Sequence, residues 1–206
     1  MNELRAQAAA AREAALQMQA VSTEQKSRAL ERAASLLKEN TKTILEANLL
    51  DLEAAREKGM NPAFVERLTL TEKRIDGMAA GLLEVAALPD PVGETLEKWQ
   101  RPNGLVIKKR RVPIGVIAII YESRPNVTVD AAALCLKSGN AVVLRGGSDA
   151  IESNRALCGI LESAAREAGL PAGCVSLVQD TSREAANELM RLNGLIDVLI
   201  PRGGKG

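Results

Sequence analysis

The stretch "PIGVIAIIYESRPNVTVDAAALCLKSGNAVVLRGGSDA", Pro113 to Ala150, decides the fold. Its "IGVIAII" is a short, unbroken apolar run, as expected of a strand buried on both faces. "YESRPN" interrupts it, and "VTVDAAALCLKSG" then reads as a helix with Gly139 as its stop. "NAVVLR" is a second strand, followed by "GGSD". The same grammar continues downstream. "AIESNRALCGILESAAREAG" is a helix stopped by Gly169, "CVSLVQ" a strand ending in "DTS", "REAANELMRLNG" a helix, and "IDVLI" a strand running into "PRGGKG". Residues 113–206 therefore read βαβαβαβ, which predicts an α/β fold with a parallel sheet covered on both faces.

Residues 1 to about 88 are written differently. Ala, Leu, Glu, Lys and Arg dominate, and helix starts recur. Ser22 with Gln25 and Thr69 with Glu72 have capping-box spacing. Asn61-Pro62 offers an N-cap with Pro at the first helical position, and Gly59 a stop before it. Leu30, Ala33, Ala34 and Leu37 fall on one helical face, so this part reads as a helical wall packed on something else. "LPDPVG", Leu88 to Gly93, ends the pattern. In residues 94–112, Asn103-Gly104 between mixed runs is a hairpin signal. "KKRR", Lys108 to Arg111, reads either as a phosphate-attracting patch or as a solvated strand whose charges protect an edge. Balanced total charge favours the second.

Composition narrows the classes. Lys+Arg is 27 against 26 for Asp+Glu, so bulk charge points to neither nucleic acid nor membrane. One Trp, one Tyr and one Phe leave no stacking platform for single-stranded nucleic acid. There is no His, which removes His-based triads and His metal sites from these 206 residues. No metal site is expected. Cys135, Cys158 and Cys174 have no metal spacing and fit a reducing compartment. The start "MNELRAQAAAAREAALQ" lacks the apolar core of a signal peptide, and no apolar run approaches ~18 residues. A cytoplasmic protein is the expectation.

In open α/β sheets, ligands sit beyond the carboxyl ends of the strands. Those ends are "YESRPN", "RGGSD", "QDTS" and "PRGGKG", and Arg-Gly-Gly occurs in two of them. Gly lets backbone approach a phosphate closely, and Arg can pair with it in a bidentate way. Asp149, with Glu152 three residues on, is placed to cap the next helix. That would leave Ser148 and the glycines at its positive end, ready for an anion. Neither G-x-G-x-x-G nor a P-loop motif is present.

"RRVPIGVIAIIYESRPNVTVDAAALCLKSGNAVVLRGGSDA" together with "IDVLIPRGG" resembles the gamma-glutamyl phosphate reductases, a branch of the aldehyde dehydrogenase superfamily. The resemblance covers essentially the whole chain. It implies an aldehyde dehydrogenase-like, Rossmann-like fold. It also implies NADPH-dependent reduction of L-glutamyl 5-phosphate to L-glutamate 5-semialdehyde in proline biosynthesis. A cysteine thiolate displaces phosphate to give a thioester, which hydride from NADPH reduces. Asn126 matches the superfamily Asn that donates to the oxyanion; read locally it is also a turn residue after Pro125. Arg145 matches a position, usually Lys, that contacts the adenosine ribose, and an Arg there suits a 2′-phosphate and hence NADP(H). Gly146, Gly147 and Ser148 would line the same pocket, and Arg202, Gly203 and Gly204 would face the pyrophosphate. Glu122 and Arg124 are either substrate contacts or salt-bridged scaffolding. The hairpin at 94–112 resembles the superfamily's oligomerisation element, so a second copy of the chain is an expected partner, with glutamate 5-kinase another.

In this family the nucleophilic cysteine follows the "IPRGG" turn. The resemblance thus implies an N-terminal, partial NADP-binding domain, incomplete at its C-terminus, without the catalytic domain and inactive alone. All three cysteines here read as buried structural thiols. Two other readings compete: a non-catalytic nucleotide-binding or assembly module, favoured by the missing nucleophile, and a broader aldehyde dehydrogenase relative, which "YESRPN" and the paired Arg-Gly-Gly argue against.

Overall fold

Capping chemistry sets the helical boundaries. The computed structural model describes residues 3–203 and opens with five helices: α1 (Glu3–Met18), α2 (Thr23–Glu39), α3 (Thr41–Glu57), α4 (Pro62–Leu68) and α5 (Glu72–Ala87). Ser22 and Gln25 close the expected box before α2: Ser22 Oγ accepts from Gln25 N at 3.2 Å and Gln25 Oε1 from Ser22 N at 3.1 Å. Asn61 caps α4, accepting from Phe64 N at 2.8 Å, with Pro62 as its first residue. Gly59 takes φ 67°, the left-handed turn that ends α3.

The Thr69–Glu72 box does not form. Thr71 caps α5, accepting from Arg74 N at 3.2 Å, while the Thr69 hydroxyl donates back to Val65 O at 2.7 Å and closes α4. The reason lies between them. Leu70 is buried, and its N–H donates to Asn48 of α3 at 2.8 Å, so the helix starts only after it.

β1 (Thr95–Gln100) and β2 (Val106–Arg110) form an antiparallel, solvent-exposed hairpin. Its turn is longer than a two-residue Asn-Gly loop. Gly104 alone takes positive φ, at 85°, and its N–H donates to Arg101 O at 2.9 Å. The charges of "KKRR" answer carboxylates within the hairpin: Lys109 meets Glu97 at 3.0 Å and Arg111 meets Glu94 at 2.9 Å.

From Val116 the chain alternates as expected: β3 (Val116–Tyr121), α6 (Asn126–Lys137), β4 (Ala141–Arg145), α7 (Ile151–Glu167), β5 (Val175–Leu177), α8 (Arg183–Leu189) and β6 (Val198–Arg202). The four strands are parallel, in the order β5-β4-β3-β6. Helices α6 and α7 pack on one side of the sheet and α1 lies against β3, β4 and β5, so β3 and β4 are almost wholly buried. The last helix is shorter than its sequence pattern. Ser182 caps it, accepting from Ala185 N at 3.1 Å, and it ends at Leu189, five residues before Gly194 turns the chain at φ 82°.

Entry into the sheet depends on Gly115. Its φ is 125°, and a Cβ there would stand 2.1 Å from Asp197 Oδ2. That oxygen accepts from Val116 N at 2.8 Å and pairs with Arg12 at 2.5 Å, tying β3, β6 and α1 together.

The start of α7 departs from expectation. Asp149 does not cap it; the first residues, Ser148–Ala150, form a 3-10 turn, and Asp149 pairs with Lys58 at 3.0 Å. The cap comes from α3. Asp51 accepts from Glu152 N at 3.1 Å, Ser153 N at 2.8 Å and Ser153 Oγ at 2.6 Å. A protein carboxylate thus occupies the helix terminus that sequence marked for a ligand anion. Local pattern cannot supply a partner a hundred residues away.

Burial pushes the Asp51 carboxyl up, against the pull of its Ser153 and Glu152 donors. A raised folded pKa means the native state holds the proton more tightly, so this group's contribution falls as pH rises through that range. Asp51→Ala removes the carboxyl and also leaves three donors unmatched. The expected loss is about 2–4 kcal/mol, read as a lower urea midpoint at unchanged m. Gly115→Ala is expected to cost about 3 kcal/mol or more by the same measurement, through both clash and φ.

Candidate functional site

Parallel pairing brings the strand ends to one edge. Arg145 is in register with Ile120, and Arg202 with Tyr121, so the loops after β3, β4 and β6 open side by side. Glu122, Arg124, Arg202 and Gly203 line a small pocket of about 240 Å³ there. A Cβ on Gly203 would lie 3.2 Å from Glu122 Oε1, so the β6 exit passes directly over Glu122. Gly204 lies outside the described residues.

The β4 exit is packed from within. A Cβ on Gly146 would fall 2.2 Å from Asn154 Nδ2, and one on Gly147 2.9 Å from Ser123 Oγ. Both glycines are therefore required by the protein's own close approach, whatever binds beyond them. Asn154 accepts from Thr128 at 2.8 Å, and Thr128 bonds the Tyr121 hydroxyl at 2.6 Å, a buried polar chain linking α7, α6 and β3. Burial pushes the Tyr121 hydroxyl up.

Arg145 is half-buried and only partly spent. Nη2 donates to the carbonyls of Thr181 at 2.5 Å and Ser182 at 3.0 Å. Nε is buried without a partner among the described residues. Burial lowers its pKa, and the charge of Asp180 works the other way. Ser148 beside it is exposed. At this edge Arg124, Arg145 and Arg202 carry guanidinium groups and Ser148 a hydroxyl, chemistry that suits phosphate oxygens, while the α7 terminus is already filled by Asp51. Among the described residues no cluster of three or more His, Cys, Asp or Glu could hold a metal ion, and no helix is long and apolar enough to cross a membrane.

Asn126 is the first residue of α6, not a free turn residue. Its Nδ2 donates to Asp130 Oδ2 at 3.1 Å, one helical turn on. Both residues, with Arg124, line a second and larger cleft of about 860 Å³ whose far wall is α4 and α5, including Arg67, Lys73 and Arg74. Sequence reading missed this wall and missed Asp130. Only the i, i+4 spacing from Asn126 could have flagged Asp130; nothing local marks Lys73. Burial raises the Asp130 pKa, opposed by the Asn126 hydrogen bond and the charge of Arg202.

The thiols lie elsewhere. Cys135, Cys158 and Cys174 are all buried. Burial pushes Cys135 and Cys174 up to about 12 and raises Cys158 as well, with Glu162 adding to it. At neutral pH none is a thiolate, the form needed for attack.

Comparison with known proteins gives the family and the fold. The aldehyde dehydrogenase family model matches residues 2–198. The gamma-glutamyl phosphate reductase of Carboxydothermus hydrogenoformans is 59% identical over 206 residues, which is 100% of this chain and 50% of that protein. The crystal structure of the Thermotoga maritima gamma-glutamyl phosphate reductase superposes with a TM-score of 0.98 at 45% identity, covering 100% of this chain and 50% of that one. The Saccharomyces cerevisiae gamma-glutamyl phosphate reductase gives 0.90 at 32% identity, covering 100% and 52%. The chain thus spans about half the length of the relatives it matches. With its family-model match, parallel sheet and strand-end loops, the chain belongs to the aldehyde dehydrogenase family and resembles, over its whole length, the gamma-glutamyl phosphate reductases.

Proposed function

We propose that this chain supplies the cofactor-holding and oxyanion-stabilising part of a gamma-glutamyl phosphate reductase, which reduces L-glutamyl 5-phosphate to L-glutamate 5-semialdehyde on the route to proline. The observation that supports the reading is that the exits of β3, β4 and β6, which in turn lead to Asn126, carry Arg145 with Ser148 and carry Arg202, all open at one sheet edge, in a chain 59% identical to such a reductase. A nicotinamide cofactor, when bound, supplies the hydride. The residues present suit NADP(H): Arg145 keeps Nη1 for an added phosphate, and its Nη2 contacts hold the guanidinium at the strand end. Gly146 and Gly147 keep the floor low beside it, and Arg202 with Gly203 is assigned to the pyrophosphate.

Asn126 stands at the start of α6, a helix most of whose residues are buried. One Nδ2 hydrogen is held by Asp130, which fixes the amide plane and leaves the other for the acyl oxygen as charge develops on it. Arg124 lines both pockets and Glu122 the smaller one, and both are assigned to substrate. None of Cys135, Cys158 and Cys174 serves as nucleophile in this reading, because all three are buried thiols; the chain alone is then inactive.

A role in assembly is supported by the hairpin. Leu96, Trp99, Leu105 and Val106 stand exposed on β1, β2 and their turn, an apolar set suited to a second copy of the protein. Glutamate 5-kinase, which makes the unstable acyl phosphate, is the proposed second partner, and the cytoplasm the proposed site of action.

Two substitutions in the full-length product test the assignments. Arg145→Ala is expected to weaken NADPH by about tenfold or more and NADH by less than about threefold, by fluorescence titration. Equal weakening would assign Arg145 to the Thr181–Ser182 loop alone. Asn126→Ala is expected to lower kcat by about 100-fold or more with cofactor affinity unchanged. Unchanged turnover would remove it from the oxyanion site.

A further inference from the structure

The cleft between α4–α5 and α6 has a charge pattern that the reaction at Asn126 does not itself require. Arg74 is already committed. It pairs with Glu66 and donates to the carbonyls of Glu66 at 2.7 Å and Thr69 at 2.5 Å, stitching α4 to α5. Arg67, Lys73 and Arg124 line the same space and have no ion-pair partner among the described residues. Asp130 also lines it; Oδ2 accepts from Asn126, and Oδ1 has no hydrogen bond among the described residues. Apart from the Glu66–Arg74 pair, what faces the cavity is one carboxylate, Asp130 beside Asn126, and three cations without an ion-pair partner among the described residues.

We infer that this cleft receives the α-amino-acid end of the substrate, with Asp130 pairing with the ammonium and Lys73 and Arg124 with the α-carboxylate. The inference rests on the function proposed above and names which of this chain's residues would read the amino acid. The sizes agree. Three carbon–carbon bonds of ~1.5 Å separate the acyl carbon from the carbon bearing the ammonium, a span of about 4 Å. Groups that hold the acyl oxygen and the ammonium must therefore be near neighbours, and Asn126 Nδ2 and Asp130 Oδ2 are 3.1 Å apart. The charges agree too. An amino acid carrying an acyl phosphate is a net anion with one cationic corner, and the cleft, with four cations to two carboxylates, is a net cation in which Asp130 is the carboxylate not ion-paired. The Asp130 carboxyl is partly desolvated at the cleft wall, opposed only by Asn126 and the charge of Arg202, which leaves it in want of a cation close by. Asp130 is thus a specificity-determining residue, separate from its part in orienting Asn126.

The test uses the full-length product in the aldehyde-oxidising direction, with phosphate and NADP+. L-glutamate 5-semialdehyde is compared with 5-oxopentanoate, the same aldehyde without the amino group. Wild-type turnover of the amino substrate reads the function itself, and its absence would overturn that reading together with the inference. Given turnover, Asp130→Asn, whose amide oxygen can still accept from Asn126, is expected to lower kcat/KM for the amino substrate roughly 10- to 100-fold more than for 5-oxopentanoate. Asp130→Glu is expected to recover part of the preference. Equal losses on both substrates would overturn the inference and leave Asp130 only the positioning of Asn126. Lys73→Ala is expected to raise KM on both aldehydes, since both carry the carboxylate; unchanged KM would overturn its assignment. Asp130 is exposed and the Asn change isosteric, so a folding defect does not enter; NADP+ affinity within twofold of wild type checks this.

Discussion

A pair of polar residues on α3, Asn48 and Asp51, holds the helical wall to the sheet. Asp51 accepts three hydrogen bonds from the first turn of α7, and Asn48 bonds Ser153 Oγ, Leu68 O and Leu70 N, the last two in and just after α4. Both are almost fully buried. Each donor and acceptor in this knot would be expensive to leave unmatched, so α3, α7 and the α4–α5 link can sit in only one register. That register places α5 opposite α6, and the cleft beside Asn126 is the space left between them.

A second constraint works from the other end of the sheet. Asp197 fixes the entry of β6 beside β3 through Val116 N and Arg12, and Gly115 must lack a side chain for it to do so. Register then carries the position along the strands: Ile117 pairs with Val198 and Tyr121 with Arg202. The Arg202 guanidinium reaches the α6 side of the edge only because its strand was aligned four residues earlier. Tyr121, Thr128 and Asn154 lock the same edge from beneath, so the loops above it stand on a rigid floor.

Much of this was legible in the chain. Apolar runs of strand length separated by amphipathic segments gave the parallel sheet, and Gly59, Gly139 and Gly169 marked helix ends that the backbone confirms with positive φ. The strand-end loops marked the edge where Glu122, Arg124 and Arg202 line one pocket. What escaped reading shares one property: it depends on partners far apart in sequence. Thr69 had the right spacing for a cap and lost it, because Leu70 N belongs to Asn48. Asp149 had the right position before α7 and lost it to Asp51. Lys73 carries no local mark at all; only packing brings it across from Asn126. Local grammar fixes where elements begin, and long-range polar satisfaction overrides it where a buried N–H is at stake.

The occupation of the α7 terminus by Asp51 has a chemical consequence for the proposed cofactor. A free helix N-terminus attracts any anion through its aligned N–H groups. Here that potential is neutralised by a carboxylate built into the fold, so a phosphate approaching Ser148 meets a terminus already satisfied. Attraction must come from side chains, and Arg145 is the one whose guanidinium is held at the strand end with donors to spare. A side chain can distinguish ligands that a helix dipole cannot, because its donors have fixed directions. On the function proposed above, discrimination between cofactors with and without a 2′-phosphate rests on Arg145, and discrimination among acyl substrates on the separate, charged cleft beside Asn126.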